Sequence, residues 1–298
     1  MKKIKKLLIG TIVVIFFFGL SHLAEGINTL ENFNNSSKNV SEVNNIDVSG
    51  KLIVDYIDVG QGDSALITVN GKSMLIDAGP NESEEKVVEY LKNKNISKIE
   101  YVLGTHPHED HIGGLDKVIE NFEIGQVYLP KVSNTTKTYE SVIKQINKKD
   151  LKINQAKDGV SLDLGPGVKV EMYSPGKKDY DNLNNYSSIV KITFGENSFL
   201  FTGDAEKEAE DEVLKKRYDV SSDVLKVGHH GSSTSTSNEF LDKVNPMIAI
   251  ISCGYNNSYG HPNKDTIDKL TNKNVRIFRT DELGDIEVES DGKNLSIK

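Results

Sequence analysis

Thr105-His106-Pro107-His108-Glu109-Asp110-His111-Ile112-Gly113-Gly114 places three histidines and an aspartate within six positions of a 298-residue chain that holds only 7 histidines. Neutral imidazoles and ionised carboxylates are the ligands that zinc-like divalent ions prefer. A catalytic ion needs several of them to converge while one coordination position stays open. The ordinary alternative is a polar surface loop whose histidines are there by composition. The order H-x-H-x-D-H is more demanding than a two-ligand motif, and it weighs for a metal-dependent hydrolase.

The flanking sequence sets this loop in an alternation of strands and helices. Tyr101-Val102-Leu103 reads as a short buried strand running into the loop, and Leu115 to Ile119 starts a helix. Upstream, Leu52 to Asp58 is β-rich, and Ala65 to Val69 and Ser73 to Ile76 flank Asn70-Gly71, a two-residue hairpin signal. Glu82 to Lys92 has helical apolar spacing after an acidic first turn. Gln126 to Leu129 reads as a strand and Tyr139 to Ile146 as a helix. The second half repeats the grammar, with strands expected at 168–173, 188–194, 198–202, 223–227, 247–252, 275–278, 286–289 and 294–297. Helices are expected at 205–216, near 238–243 and at 264–272. Two comparable halves of mixed strands and helices predict an α/β fold, an αββα sandwich of two mixed sheets with helices outside.

The N-terminus stands apart. Met1 to Lys6 carries four lysines, and Leu7 to Leu20 is an unbroken run of apolar or small residues. This suits a secretory leader and is short for a spanning helix of about 20 residues. Extension through residues 7–23 gives a membrane tether instead, and Ala24-Glu25-Gly26 is a passable cleavage site. The expected organisation is a signal peptide or membrane anchor at 1–26, a flexible spacer at 27–47 and one hydrolase domain at 48–298. That domain would lie outside the cytoplasm, secreted or tethered. The single cysteine, Cys253, precludes an intramolecular disulfide and reads as a small buried residue at a strand end. The net charge of −8 argues mildly against tight binding to a phosphate backbone, and Lys144, Lys148, Lys149 and Lys152 read as a solvated face.

Further ligand candidates follow the C-terminal ends of expected strands. Asp77, in Leu75-Ile76-Asp77-Ala78-Gly79, suits a carboxylate that orients an imidazole. Asp204, in Gly203-Asp204-Ala205, is either a helix cap or a bridge between two ions. In Gly228-His229-His230-Gly231 the glycines allow close backbone approach, so that both rings can point at one centre. His261-Pro262 precedes a helix, with Pro262 suited to its first turn and the helix N-terminus suited to a phosphate-like anion.

Together these stretches resemble the metallo-β-lactamase superfamily, and within it the hydrolase domain of ComEC-type DNA-uptake proteins. The matching segments are Ile57 to Ser64, Leu75 to Gly79, 105–114, Asn184 to Ser188, Leu200 to Glu206, Asp223 to Ser233, Tyr259 to Pro262, and Arg279-Thr280-Asp281 with Gly284. The resemblance implies two divalent ions, zinc favoured and manganese the alternative. His106 and His108 would bind the first with one of the histidine pair, His230 preferred over His229. Asp110 and His111 would bind the second, with Asp204 between the two. Asp63, Asp77 and Asn185 would support these ligands from behind. Asn185 and Ser187 stand where the superfamily usually supplies another histidine, as in ComEC-like members. ComEC proteins carry this domain beside a many-helix membrane channel, so DNA uptake by this chain alone is not implied.

Paired ions lower the pKa of a shared water towards neutrality and supply hydroxide as nucleophile. Asp110, His229 and His261 are the expected direct participants. His261 or His229 would stabilise the charged transition state or protonate the leaving oxygen, aided by backbone N–H groups near Pro262. The expected activity is an exported phosphodiesterase or nuclease acting on a phosphoester substrate, DNA or a cell-wall polymer. Its rivals are a teichoic-acid phosphocholine esterase and a metal-stabilised surface-binding domain. The sequence points to no protein partner.

Overall fold

Strand alternation and helix periodicity together build the layers. The computed structural model describes residues 50–176 and 179–298, so the expected leader and spacer lie outside the described residues. One mixed sheet holds β1 (Leu52–Tyr56), β2 (Ser64–Val69), β3 (Lys72–Ala78), β4 (Lys98–Leu103), β5 (Glu123–Pro130), β6 (Ile153–Ala156), β14 (Ile286–Ser290) and β15 (Leu295–Ile297). Their order is β15-β14-β1-β2-β3-β4-β5-β6. The second sheet runs β13 (Arg276–Arg279), β12 (Ile248–Ile251), β11 (Val224–Lys226), β10 (Asn197–Phe201), β9 (Val190–Phe194), β8 (Val168–Met172), β7 (Ser161–Leu162). Strands β3 to β6 are parallel, as are β10 to β13, and the remaining pairs are antiparallel. The β2–β3 hairpin turns at Asn70 (φ 55°) and Gly71 (φ 73°), the two left-handed residues that an Asn-Gly turn supplies.

Alternate residues of each strand face opposite layers. Ile67, Ile76, Phe199 and Phe201 fill the space between the sheets, and Tyr56 stacks on Phe201 across it with centroids 5.9 Å apart. Their neighbours Leu66 and Leu75 face the helices α1 (Glu84–Asn93), α2 (Glu109–Ile112), α3 (Leu115–Asn121) and α4 (Lys137–Lys148). Leu200, Leu225 and Ala249 face α5 (Lys207–Lys215), α6 (Asn238–Val244) and α7 (Lys264–Asn272), while α8 (Thr280–Leu283) follows β13. The result is the αββα sandwich expected from sequence. Among the described residues no helix is long and apolar enough to cross a membrane.

Local expectations needed correction at several points. β6 and β7 were not anticipated: Ile153-Asn154-Gln155-Ala156 is an edge strand with Ile153 45% exposed, so it has no apolar alternation to read. Asp204 does not cap a helix, because α5 starts at Lys207 with Glu206 in the cap position. Pro262 lies before α7 rather than in its first turn, since Asn263 is the cap.

Candidate metal centre

Parallel strands end at a common edge, and the segments at those ends converge. Asp77 is the penultimate residue of β3; His106 to His111 follow β4; Asp204 follows β10; His229 and His230 follow β11. The loop after β1 brings Asp63, and the longer one after β12 brings His261. Two glycines make the loops close enough. A side chain at Gly62 would meet the Asp110 carbonyl oxygen at 2.4 Å, and one at Gly231 would meet Pro262 at 2.6 Å. Between Gly228 and Gly231 both histidines adopt left-handed backbone, φ 50° at His229 and 54° at His230. Such conformations cost of order 1–3 kcal/mol each in non-glycine residues. Here they bring both rings to the carboxylate of Asp204.

Asp204 sits at the middle of the cluster. Its Oδ1 lies 3.1 Å from His111 Nε2, and its Oδ2 lies 3.5 Å from His229 Nε2, 3.6 Å from His230 Nε2 and 3.9 Å from His106 Nε2. His106 Nε2 and His108 Nδ1 face each other at 3.0 Å, and His230 Nε2 lies 3.1 Å from Asp110 Oδ2. His111 Nε2 and Asp204 Oδ1 are buried without a hydrogen-bond partner of good geometry. Ligand atoms on a tetrahedral ion with bonds of about 2.0–2.1 Å stand about 3.3 Å apart, which is the scale of these separations. The donor set therefore fits divalent metal.

The far sides of the rings are anchored. Asp77 is fully buried and accepts from Thr105 N at 2.7 Å, Thr105 Oγ1 at 2.7 Å and His111 Nδ1 at 2.8 Å. His230 Nδ1 faces Ser252 O at 3.0 Å and Asp63 Oδ1 at 3.1 Å, and Lys226 Nζ donates to Asp63 Oδ2 at 2.7 Å. Asp63, His111, Asp204 and His230 form a compact ligand-like group. The Asp63 oxygens are, however, engaged by Lys226 and the outer nitrogen of His230, which makes Asp63 an anchor.

Lys226 was missed from sequence. The available signal was a lysine inside the apolar run Val224-Leu225-Lys226-Val227, and such a residue, once buried, requires a partner. Lys226→Met should weaken metal binding at the His230 position about 10–100-fold, the usual range for losing a supporting partner. Competitive chelator titration measures this, and an unchanged affinity would reduce Lys226 to a structural ion pair.

Two placements differ from expectation. His230, expected with His106 and His108, has its Nε2 3.1 Å from Asp110 Oδ2, a residue expected at the other ion, while Asp63 and Ser252 hold its outer nitrogen. Asn185 does not support the metal ligands: its amide donates to Glu208 Oε2 at 3.1 Å, and its oxygen accepts from Glu206 N at 3.1 Å. Ser187 takes the supporting place, its Oγ accepting from Asp204 N at 3.0 Å.

Burial and charge fix the protonation pattern. Burial disfavours the charged form of every group here, yet His111 and His230 hold the carboxyl groups of Asp204 and Asp110 below the usual range. In return Asp204, with Asp63 and Asp110, raises His230 to about 10, and Asp204 and Asp77 raise His111 well above the ordinary imidazole value. Burial and the neighbouring His111 push His106 down instead. A raised histidine contributes stability that is full below its unfolded pKa, about 6.5, and is lost as pH rises towards the folded value. Without metal, His111 and His230 thus carry protons. An ion bound by both should release about two protons near neutral pH, so apparent affinity rises with pH. Calorimetric titration in buffers of different ionisation enthalpy checks this; release of no protons would contradict it.

His261 lies beside the centre, its ring 5.5 Å from that of His229 and 6.2 Å from that of His230. Burial, with His230 and His229 nearby, lowers it to about 4. Gln61 fixes its tautomer. The Gln61 oxygen accepts from Gly254 N at 3.1 Å, which leaves the amide nitrogen to donate to His261 Nδ1 at 3.4 Å. His261 Nε2 therefore carries the hydrogen.

Comparison with known proteins agrees with this architecture. Residues 57–255 match the family described as the metallo-beta-lactamase superfamily. The chain is 32% identical to ComE operon protein 3 of Bacillus subtilis over 252 residues, 78% of this chain and 32% of that protein. It is 30% identical to recombination protein 2 of Haemophilus influenzae over 240 residues, 79% of this chain and 28% of that one. Competence protein ComA of Neisseria gonorrhoeae is 27% identical, with 77% of this chain and 31% of that protein covered. The chain thus spans about a third of the length of these relatives. Among solved structures, the metallo-beta-lactamase fold protein YhfI of Bacillus subtilis superposes with a TM-score of 0.51 at 12% identity, covering 76% of this chain and 95% of that one. CmlA, a diiron β-hydroxylase of Streptomyces venezuelae, gives 0.52 at 16% identity, covering 76% and 52%.

Proposed function

We propose that this chain, which belongs to the metallo-beta-lactamase superfamily, is an exported two-metal phosphodiesterase with nucleic acid as its favoured substrate. The observation that carries the reading is Asp204, one carboxylate whose Oδ2 lies 3.9 Å from His106 Nε2 and whose Oδ1 lies 3.1 Å from His111 Nε2. A site for one structural ion has no use for two ligand sets meeting on one residue.

In this reading His106, His108 and Asp204 hold one ion, and Asp110, His111, His230 and Asp204 hold the other. When bound, such ions, zinc favoured and manganese the alternative, polarise a phosphoryl oxygen and acidify a water. The protein's own groups do the rest. Asp77 and the Lys226–Asp63 pair keep the Nε2 atoms of His111 and His230 directed inward. Asp110, its side chain 32% exposed against 3% for Asp204, is the more open of the two carboxylates to incoming substrate. His261, held below the usual imidazole range first by its burial, offers its Nε2–H to developing negative charge. Of its two expected roles this favours hydrogen-bond donation over transfer of an imidazolium proton. His229, held between Asp204 and Glu206, occupies the leaving-group side in this assignment.

The names of the relatives, a competence protein and a recombination protein, support nucleic acid as the substrate. The net charge of −8 favours a smaller ester, and the phosphocholine esterase is kept as the second reading on that ground. The metal-loaded protein should be compared on single-stranded DNA, bis(p-nitrophenyl) phosphate and phosphocholine esters. Cleavage of DNA that is lost with EDTA supports the nuclease. Cleavage of the choline ester alone supports the rival. No hydrolysis with metal fully bound leaves a surface-binding domain.

A further inference from the structure

The loop that carries His261 also carries two of the most exposed aromatic side chains in the described residues, Tyr255 at 78% and Tyr259 at 69%. Exposed tyrosines in a floppy loop would mean little, but this loop is organised. Asn257 donates to the carbonyl oxygens of Gly254 and His261, at 2.9 Å and 2.5 Å, and its oxygen accepts from Tyr259 N at 3.2 Å and His261 N at 3.0 Å. Gln61 pins the start of the loop through Gly254. Tyr259 lies nearly parallel to the His261 ring, centroids 5.8 Å apart and planes 20° from each other. Outward from Asp204 the order is His229 and His230, then His261, then Tyr259, then solvent.

We infer that Tyr259 is a specificity residue, a flat shelf on which a nucleobase adjoining the scissile phosphate stacks. The inference rests on the phosphodiesterase reading and adds to it how single-stranded nucleic acid is told from other esters. A tyrosine face accepts any base, which suits cleavage without sequence preference. Tyrosine also binds quaternary ammonium, but through cages of converging rings. Here the ring partner of Tyr259 is His261, and among the described residues Tyr255 makes no ring contact with it, so the surface is a shelf.

The test uses the metal-loaded full chain with a labelled single-stranded oligonucleotide and an abasic strand of equal length, and phosphocholine as competitor. Stopped-flow anisotropy reads binding before cleavage, and kcat/KM is taken on the same samples. The wild type should prefer the base-bearing strand roughly tenfold in both readouts. Tyr259→Ala should bring the two strands within about twofold, and Tyr259→Phe should keep the preference. Equal treatment of the two strands by the wild type, or a preference that survives Tyr259→Ala, overturns the shelf. Displacement by phosphocholine that depends on Tyr259 overturns it in favour of a choline site. A strand preference without hydrolysis of any ester overturns the phosphodiesterase reading alone, whereas DNA and abasic strand cleaved equally well overturn the shelf alone.

Discussion

Asp204→Asn is expected to lower kcat/KM for phosphodiester hydrolysis by on the order of 10³, the effect of removing a central source of electrostatic stabilisation. Asparagine keeps the shape of the side chain but has no charge and only one oxygen. The carboxylate now faces four imidazoles, those of His106, His111, His229 and His230, at 3.1–3.9 Å. An amide nitrogen turned towards either ligand set places a donor where a lone pair is required. Metal content should therefore fall together with activity. The fold should persist, because His111 still has Asp77 and Asp110 as carboxylate neighbours, and His230 still has Asp63 and Asp110, once the Asp204 charge is gone. Metal analysis and steady-state kinetics on the same sample check the prediction. A variant that keeps full metal content and loses less than about tenfold in activity would remove Asp204 from the centre of the site.

Asp77→Ala should have the largest effect on stability. Asp77 is completely buried and takes three hydrogen bonds, two from Thr105 and one from His111. Truncation leaves those donors facing a void and removes the partner of a buried imidazole, a loss of about 3–5 kcal/mol. Asp77 also has φ 58°, a conformation that aspartate tolerates better than alanine. A domain of this size loses about 2–4 °C of melting temperature per kcal/mol, so the expected drop is roughly 6–20 °C. Asp77→Asn retains one acceptor and the backbone preference, and should lie between the two. Thermal unfolding followed by circular dichroism decides, and a shift within about 2 °C for the alanine variant would contradict the buried network.

Much of this was readable from sequence because it depends on local spacing. The alternation in Leu66-Ile67 and Phe199-Leu200-Phe201 assigns side chains to opposite faces of a strand, and Asn70-Gly71 fixes a hairpin register by turn chemistry alone. The histidine loop was legible for the same reason, its ligands lying within six consecutive positions. Contacts set by tertiary approach were not legible. Ser252 offers a backbone carbonyl to His230, which no side-chain pattern announces. Gln61 and His261 are 200 positions apart, and only the fold shows that one sets the tautomer of the other. The resemblance pointed to Asn185 as a support, and the structure turns that side chain to Glu206 and Glu208 because α5 starts beside it. The approach of His230 to Asp110 was not legible for a similar reason, since the pair that holds it joins Asp63, in the loop after β1, to Lys226 at the end of β11.

The most direct test of the two-ion centre is anomalous diffraction from crystals of the metal-loaded protein, recorded on both sides of the metal absorption edge. Two peaks should flank Asp204, one against His106 and His108 and the other against Asp110, His111 and His230. A single peak, or metal away from Asp204, would contradict the account.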